Sequence, residues 1–228
     1  MNRVLIVVAH PDDEVLGCGG TIARLTNEKG IKAATLILGE GITSRDLTRD
    51  TGKRKNELAL LRENIYEANK AIGIESTFIL DFPDNRFDSI ALLDIVKEIE
   101  KVKLEFMPDT IFTHFSNDMN IDHAVTNKAV LTASRPMRDE TVREVYAFEV
   151  LSSTEWNFPL SFSPDYFVDI SSSIIKKERA MSIYAGEIRE FPHPRSIKGI
   201  ELNATYWGMR MGVDKAEAFQ TLRRVLSS

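Results

Sequence analysis

The chain alternates short apolar runs with longer amphipathic segments over its first half. Each run is rich in β-branched residues and is bounded by polar residues or glycine, which is typical of buried strands, whereas the segments between them have helical apolar spacing. This alternation predicts βαβ units on a mostly parallel sheet, an α/β sandwich. The predicted strands are residues 3–9, 31–38, 77–80 and 110–114, and the predicted helices are residues 13–27, 53–72, 89–106 and 122–134.

Beyond residue 135 the pattern is less regular. It predicts strands over residues 142–151 and 166–170, a helix over residues 173–184, and a mostly helical segment with a glycine break over residues 204–219. No linker rich in Pro, Gly or Ser separates this third from the rest. We therefore expect residues 1–228 to form a single domain, with residues 136–228 packing over the sheet edge and the site.

Composition narrows the classes of protein that fit this pattern. Hydrophobic residues make up 43% of the 228 residues, which suffices for a full core and argues against disorder or a fibrous repeat. With 29 Lys+Arg against 34 Asp+Glu, the formal net charge is −5. The chain therefore lacks the excess of positive charge that is typical of proteins binding nucleic acid or an anionic membrane. We expect neither partner and favour a small-molecule substrate.

The N-terminal region and the cysteine content bear on the compartment. The apolar run that starts at residue 4 ends at His10, too early for a signal-peptide core. No segment approaches the ~20 apolar residues of a membrane span. Cys18 is the single cysteine, which excludes an intramolecular disulfide and fits a reducing cytosol. We therefore expect a cytoplasmic protein.

Potential metal ligands follow the first and fourth predicted strands. Residues 9–14 read Ala-His-Pro-Asp-Asp-Glu, and residues 113–123 contain two histidines. The carboxyl ends of parallel strands meet at one edge of a sheet, where ligands collect in this class of fold. His10 and Asp13 stand three residues apart around a turn, so both can face one centre, and His123 is the natural third ligand. A catalytic zinc uses three such ligands and an open position for water.

Structural explanations also exist for these residues. Asp12 and Asp13 complement the positive end of a helix dipole, and Pro11 suits a first helical turn. A histidine near a helix N-terminus, such as His123, is often hydrogen-bonded to backbone and otherwise silent. Asp122 can either support a metal ligand from behind or cap the helix. The placement of histidines at or just beyond two strand ends favours a metal site.

These residues resemble the PIG-L/LmbE-type N-acetylglucosaminide deacetylases, zinc hydrolases that remove acetyl groups from amino sugars. Residues 9–14 are the most specific part of the resemblance, together with the Asp-His pair at 122–123. Residues 54–57, 81–88 and 193–196 extend it over most of the chain with weaker motifs. The resemblance implies a Rossmann-like, three-layer LmbE-like fold and a homo-oligomer.

The family pattern implies one Zn²⁺ per chain, and its ligands in this sequence are His10, Asp13 and His123. A ligand set of nitrogen and oxygen also accepts other divalent metals. Asp12 becomes the general base, which takes a proton from the activated water and delivers it to the leaving amine. Glu14 and Asp122 take supporting positions behind these groups.

The sequence departs from many relatives at Asn120, where they carry a histidine credited with stabilising the oxyanion. Asparagine donates a neutral hydrogen bond but supplies no proton. Either Asn120 performs a weaker version of this role, or His114 or His193 reaches the site. We favour His193, whose alternative explanation is a surface-loop histidine between two prolines.

Three arginines lie in or beside segments that resemble the substrate side of the family: Arg45, Arg54 and Arg195. Guanidinium groups suit sugar hydroxyls, carboxylates or phosphates, so a nucleotide-sugar is a candidate substrate beside a simple N-acetylated amino sugar. Arg54 could instead pair with Glu57, three residues further along the same helix.

The glycine-rich residues 17–20 do not form a dinucleotide-binding loop, because Ile22 stands where that fingerprint needs its third glycine. We expect these glycines to allow close packing of the helix on the sheet.

The sequence thus predicts a zinc-dependent hydrolase that removes an acetyl group from an N-acetylated amino sugar or its conjugate. One alternative is a metal-dependent amide or ester hydrolase for another substrate class. The other is a metal- and sugar-binding protein that has lost turnover, which Asn120 motivates.

Overall fold

One sheet of seven strands forms the centre of the computed structural model, which describes residues 1–226. The strands are β1 Arg3–Val8, β2 Lys32–Gly39, β3 Ser76–Phe82, β4 Thr110–His114, β5 Glu144–Phe148, β6 Tyr166–Asp169 and β7 Ala216–Arg224. Their order in the sheet is β3-β2-β1-β4-β5-β7-β6. Strands β1 to β5 pair in parallel, whereas β7 runs antiparallel to both β5 and β6.

Helices cover both faces of this sheet. They are α1 Asp13–Lys29, α2 Lys55–Ala71, α3 Leu92–Phe106, α4 Ile121–Ala133, α5 Ile174–Ile183 and α6 Ile197–Met211. Alternate side chains of β1 point to opposite faces, as the pleat requires. Val4 and Ile6 pack in the core with α1, α2 and α5, whereas Leu5 and Val7 pack with α3 and α4. The predicted three-layer α/β sandwich is confirmed.

Two glycines of α1 lie directly against side chains of β5 and of the segment after β6. A Cβ atom at Gly17 would lie 2.2 Å from Phe148 Cδ2, and one at Gly20 would lie 2.8 Å from Ile170 Cδ1. Real Cβ atoms do not approach other atoms that closely, so neither position accepts a side chain without movement. The glycine-rich segment therefore serves helix–sheet packing, as the sequence predicts.

A buried ion pair joins α5 to β7, and both of its side chains are hydrogen-bonded to the backbone of α1. Lys177 Nζ lies 2.5 Å from Glu217 Oε1 and also donates to the Leu16 carbonyl at 2.7 Å. The Glu217 carboxylate in turn accepts the backbone N–H groups of Gly20 at 3.0 Å and Thr21 at 2.7 Å. Both charges are satisfied by hydrogen bonds, which is the condition for burying an ion pair without a large penalty.

The predicted boundaries agree with the observed elements to within a few residues, except over residues 204–219, where the helix is confirmed as far as Met211 and the helical prediction is wrong from Ala216 onward. Helix α6 begins earlier, because Ser196 Oγ accepts the Gly199 N–H at 2.9 Å and caps it. It ends at Gly212, which has a left-handed φ of 75°. The following segment has helix-forming residues, but pairing with β5 and β6 makes it strand β7 and overrides local propensity.

Within residues 1–226, no helix combines the length and the apolar character that crossing a bilayer requires.

Replacing Gly17 with alanine should lower the free energy of unfolding by about 1–3 kcal/mol, because the new methyl overlaps the Phe148 ring. Gly19→Ala is the matched control on the same helix, since its Cβ would lie 3.3 Å from Val15 Cγ1 and alanine favours helix by about 1 kcal/mol. Urea unfolding of both variants checks this. Equal stabilities for the two would contradict the packing argument.

Candidate active site

A cavity of about 220 Å³ opens at the carboxyl ends of the parallel strands. The segments that follow strands β1 to β5 contribute to its wall, and so does the connection between α5 and α6. The lining residues are His10, Pro11, Asp12, Asp13, Gly41, Ile42, Ser44, Arg45, Leu61, Asp84, Asn85, Asn120, His123, Val150, Ser152, Ser153, Glu187, Arg189 and Arg195. This position is where open α/β sheets bind ligands.

The turn between β1 and α1 is held by its own carboxylates. Asp13 Oδ2 accepts the His10 backbone N–H at 2.8 Å, and Glu14 Oε2 accepts the Asp12 N–H at 3.1 Å. Tyr184 donates to the other oxygen of Glu14 at 2.6 Å. Asp12 itself has a left-handed backbone with φ 95°, which is costly for a residue other than glycine. The Asp12 carboxylate consequently lines the cavity while Glu14 lies buried behind it.

His10, Asp13 and His123 come together at the floor of the cavity. Asp13 Oδ2 lies 3.5 Å from His10 Nδ1 and 3.4 Å from His123 Nε2, and potential ligand atoms of all three residues lie within 4.8 Å of one another. Ligand atoms bound at about 2.0–2.1 Å to a tetrahedral zinc lie about 3.4 Å apart. The donor set and its spacing therefore fit a divalent metal, and these residues form a candidate metal site.

A carboxylate stands behind each imidazole of this set. His10 Nε2 lies 3.0 Å from Asp122 Oδ2, and Asp122 Oδ1 accepts the Phe87 N–H at 2.9 Å. His123 Nδ1 lies 3.2 Å from Asp118 Oδ1. Such partners orient a metal-binding imidazole and increase its basicity. Asp122 contacts His10 rather than the helix end, where Asn120 Oδ1 accepts the Asp122 N–H at 2.9 Å and forms the cap.

Sequence reasoning missed Asp118. Its carboxylate is fixed by the Ser153 hydroxyl, by Thr154 Oγ1 at 2.5 Å and by the Asn120 N–H at 2.8 Å. The available signal was an aspartate shortly before His123 in the same segment after a strand. What the sequence could not show is that Ser153 and Thr154, which follow β5, would hold it in place.

The electrostatics of the candidate metal site favour a positive charge beside Asp13. Burial opposes ionisation of Asp13, but the imidazoles of His123, His114 and His10 hold the pKa of that carboxyl well below its usual value. Burial likewise opposes the charge on His123, yet the carboxylates of Asp13 and Asp118 raise its pKa to about 9. Asp13 is therefore present as the carboxylate that a metal requires.

Asp12 stands apart from the candidate ligands and contacts an arginine. Arg195 Nη1 donates to Asp12 Oδ2 at 3.1 Å, and Arg195 Nε donates to Ser152 Oγ at 2.8 Å. Burial raises the pKa of the Asp12 carboxyl well above its usual value, although the Arg195 guanidinium opposes that shift. The structure thus places an uncoordinated carboxylate and a guanidinium together beside the candidate metal site.

The candidates for oxyanion stabilisation are distributed differently. Asn120 lines the cavity, and its Nδ2 donates to Asn85 Oδ1 at 2.9 Å. Among the described residues that line the cavity, neither His114 nor His193 appears. His114 is fully buried and its Nε2 accepts the Ala9 N–H at 2.9 Å. His193 Nδ1 accepts the Arg195 N–H at 3.1 Å, so it lies near the site without facing the cavity.

Two of the three predicted arginines reach the cavity. Arg195 lines it beside Asp12, and Arg45 lines it with its Nη2 2.5 Å from Glu187 Oε1. Arg54 is not part of the described lining. Its Nε lies 2.7 Å from Asp46 Oδ2 and its Nη1 lies 2.5 Å from Glu57 Oε2, the pairing that its helical position also allowed.

Asp84 is a further carboxylate at this site, and sequence reasoning assigned it no role. Its Oδ1 lies 3.3 Å from His10 Nε2, and its Oδ2 accepts the backbone N–H of Ser44 at 3.0 Å and the Ser44 hydroxyl at 2.7 Å. Together with Asn85, whose Nδ2 lies 3.0 Å from Asp84 Oδ1, it forms a polar edge of the cavity wall.

Comparison with known proteins decides the family. Residues 5–134, more than half of the chain, match the family described as PIG-L, GlcNAc-PI de-N-acetylase. The chain belongs to this family. Its class of activity is therefore that of an N-deacetylase, a hydrolase.

Similar proteins cover most of the chain. An uncharacterized deacetylase, YaiS of Escherichia coli strain K12, is 31% identical over 73% of this chain and 81% of its own length. Diacetylchitobiose deacetylase of Thermococcus kodakarensis is 28% identical over 96% of this chain and 83% of its own length. The solved structure of GalB, a 4-carboxy-2-hydroxymuconate hydratase from Pseudomonas putida KT2440, shares the fold with a TM-score of 0.77 at 24% identity, and the match covers 100% of this chain and 99% of that chain.

Replacing Asp118 with asparagine should weaken metal binding about 10–100-fold, because His123 loses its carboxylate partner while all three candidate ligands remain. Titration of the protein with zinc in a competing chelator measures this. Asp94→Asn, an exposed carboxylate on α3, is the matched control and should leave the affinity unchanged. If Asp118→Asn binds zinc as tightly as wild type, Asp118 does not support metal binding.

Asp12→Gly should be more stable to unfolding than Asp12→Ala by about 1 kcal/mol. Both changes remove the buried carboxylate, and only glycine adopts the left-handed backbone of this position without strain. Thermal or urea unfolding of the two proteins measures the difference. An alanine variant as stable as the glycine variant would show that the turn carries no backbone strain.

Proposed function

We propose that this protein is a zinc-dependent deacetylase that hydrolyses the acetamide of an N-acetylated amino sugar or its conjugate. The observation that carries the proposal is the position of the Asp12 carboxylate in one cavity with the His10, Asp13 and His123 set. A metal site and an uncoordinated carboxylate are the two components that amide hydrolysis by activated water needs.

Each residue has a part in this reaction. A zinc ion held by the three ligands would activate a water molecule and polarise the acetyl carbonyl. Asp12 takes a proton as the water attacks and delivers it to the amine that leaves. Arg195 keeps the Asp12 carboxylate in place through its contact of 3.1 Å. Asp122 and Asp118 fix the two imidazoles so that the ligands do not have to reorganise.

Arg195 also supports the charge that develops on the acetyl oxygen. It is a cationic donor on the cavity wall, 30% exposed, and its Nη1 faces Asp12. Asn120 supplies a neutral donor, but its amide already contacts Asn85 and its carbonyl caps α4. We therefore give Arg195 the role that Asn120 and His193 were expected to fill.

The part of the cavity wall formed by Asp84, Asn85 and Ser44 suits sugar hydroxyl groups. Asp84, Asn85 and Ser44 form a connected polar edge, with Asn85 Nδ2 3.0 Å from both Ser44 Oγ and Asp84 Oδ1. Carboxylates and amides of this kind hold hydroxyls through paired hydrogen bonds. The relative from Thermococcus kodakarensis is named for an N-acetylated sugar, diacetylchitobiose, which supports this class of substrate.

The proposal also covers oligomeric state, cellular location and domain organisation. We propose that the protein forms a homo-oligomer in the cytoplasm, that residues 1–228 form one domain, and that neither nucleic acid nor a membrane is a partner. The single cysteine, buried as Cys18, supports a reducing compartment. Strands β6 and β7 belong to the same sheet as the parallel strands β1 to β5, which supports one domain.

The competing function is hydrolysis of another amide or ester at the same centre. The GalB structure shows that this fold occurs in a protein named as a hydratase, so the fold alone does not select the acetamide. A binding protein without turnover is the other competitor, since Asn120 offers no proton.

Acetate release from a panel of N-acetylhexosamines and their nucleotide conjugates tests the proposal, with bound metal measured in each protein. Wild type should release acetate, whereas Asp12→Asn should retain zinc and lose about 10²–10⁴-fold in turnover, because the proton acceptor is gone. Glu178→Gln, a substitution on α5 outside the cavity lining, is the matched control and should remain active. Zinc-loaded wild type that releases no acetate would refute the deacetylase.

A further inference from the structure

A second cavity adjoins the first and differs from it in character. Its volume is about 180 Å³, and its apolar wall comes from Ile42, Leu60, Leu61 and Tyr184. Leu60 projects from α2 with 58% of its surface exposed. The catalytic cavity, in contrast, is lined mainly by charged and amide side chains.

The two cavities are adjacent, and four residues line both of them: Ile42, Leu61, Arg45 and Glu187. Two of these residues form an ion pair, with Arg45 Nη2 2.5 Å from Glu187 Oε1, and we call this pair the ridge between the cavities. A molecule that occupies both cavities would pass this ridge.

The ridge also has a fixed position relative to the reacting group. Glu187 Oε2 lies 3.6 Å from Arg195 Nη1, and the same nitrogen contacts Asp12 Oδ2 at 3.1 Å. A row of alternating charges thus runs from the candidate base to the edge of the second cavity. Because these side chains hold one another in place, a substrate group in the second cavity would have a fixed position relative to an acetamide beside Asp12.

The charged groups at the rim of the second cavity are already paired. Arg45 pairs with Glu187, and Glu57 pairs with Arg54 at 2.5 Å. A ligand there gains little from charge and more from removing the exposed Leu60 side chain from water. A cavity of about 150 Å³ lined by apolar side chains is large enough to bind benzene.

We propose that the second cavity binds a neutral, apolar aglycone attached to the N-acetylated sugar, an aromatic ring or a short alkyl chain. This inference rests on the proposed deacetylase function and adds the substrate class. The sugar occupies the polar cavity, and the aglycone crosses the Arg45–Glu187 ridge and contacts Leu60 and Leu61.

The test compares deacetylation of methyl and phenyl glycosides of N-acetylglucosamine, both anomers of each, by acetate release. For at least one anomer, wild type should favour the phenyl compound in kcat/KM by about tenfold or more, the range that an apolar group contributes in an apolar pocket. Leu60→Ser should reduce that preference about threefold to fivefold. The control is Leu104→Ser, a leucine on α3 that is 71% exposed, which should leave the preference unchanged.

Equal kcat/KM for the phenyl and methyl compounds in wild type would overturn the subsite while leaving the deacetylase intact. A phenyl preference that Leu60→Ser does not alter would also overturn it. Failure to release acetate from either glycoside would count against the deacetylase. The subsite is then judged by calorimetric binding of the same glycosides to wild type, where phenyl binding no tighter than methyl binding refutes it.

Discussion

One carboxylate oxygen, Asp13 Oδ2, organises the site. It accepts the His10 N–H at 2.8 Å, and it lies 3.5 Å from His10 Nδ1, 3.5 Å from His114 Nε2 and 3.4 Å from His123 Nε2. The segments after β1 and β4 are thereby joined at one atom. Without that anion, the three imidazoles would lose the one carboxylate oxygen that lies within 3.5 Å of all of them, a costly loss in a low-dielectric interior. The position of Asp12, one residue earlier, depends on the same turn.

The turn between β1 and α1 has features that lower the stability of the fold. Asp12 combines a left-handed backbone with a carboxylate that is 2% exposed, and Glu14 directly behind it is fully buried, with burial raising its pKa to about 7. Contacts from Arg195 and Tyr184 offset part of this cost. Strain of this kind persists only where the surroundings determine the conformation, and it is concentrated here at the candidate catalytic turn.

Local patterns predicted the parallel half of the fold and the grouping of His10, Asp13 and His123, because strand periodicity and a short motif encode both. They failed where distant segments decide the structure. The segment of β7 has helix-forming residues and becomes a strand through pairing with β5 and β6. Asp118 is fixed by the hydroxyls of Ser153 and Thr154, which follow β5. Arg195 reaches Asp12 across 183 residues of sequence, and no local spacing shows such a contact.

The strand order has a consequence for the timing of folding. β7 lies between β5 and β6, and β6 pairs with β7, so the penultimate strand has no partner in the sheet until the final one is in place. The Glu217 carboxylate that receives the N–H groups of Gly20 and Thr21 belongs to the same late strand. During synthesis the motif-bearing first helix therefore leaves the ribosome long before the residues that complete its packing. Contacts across so long a sequence separation slow folding and leave apolar surface exposed until β7 has paired.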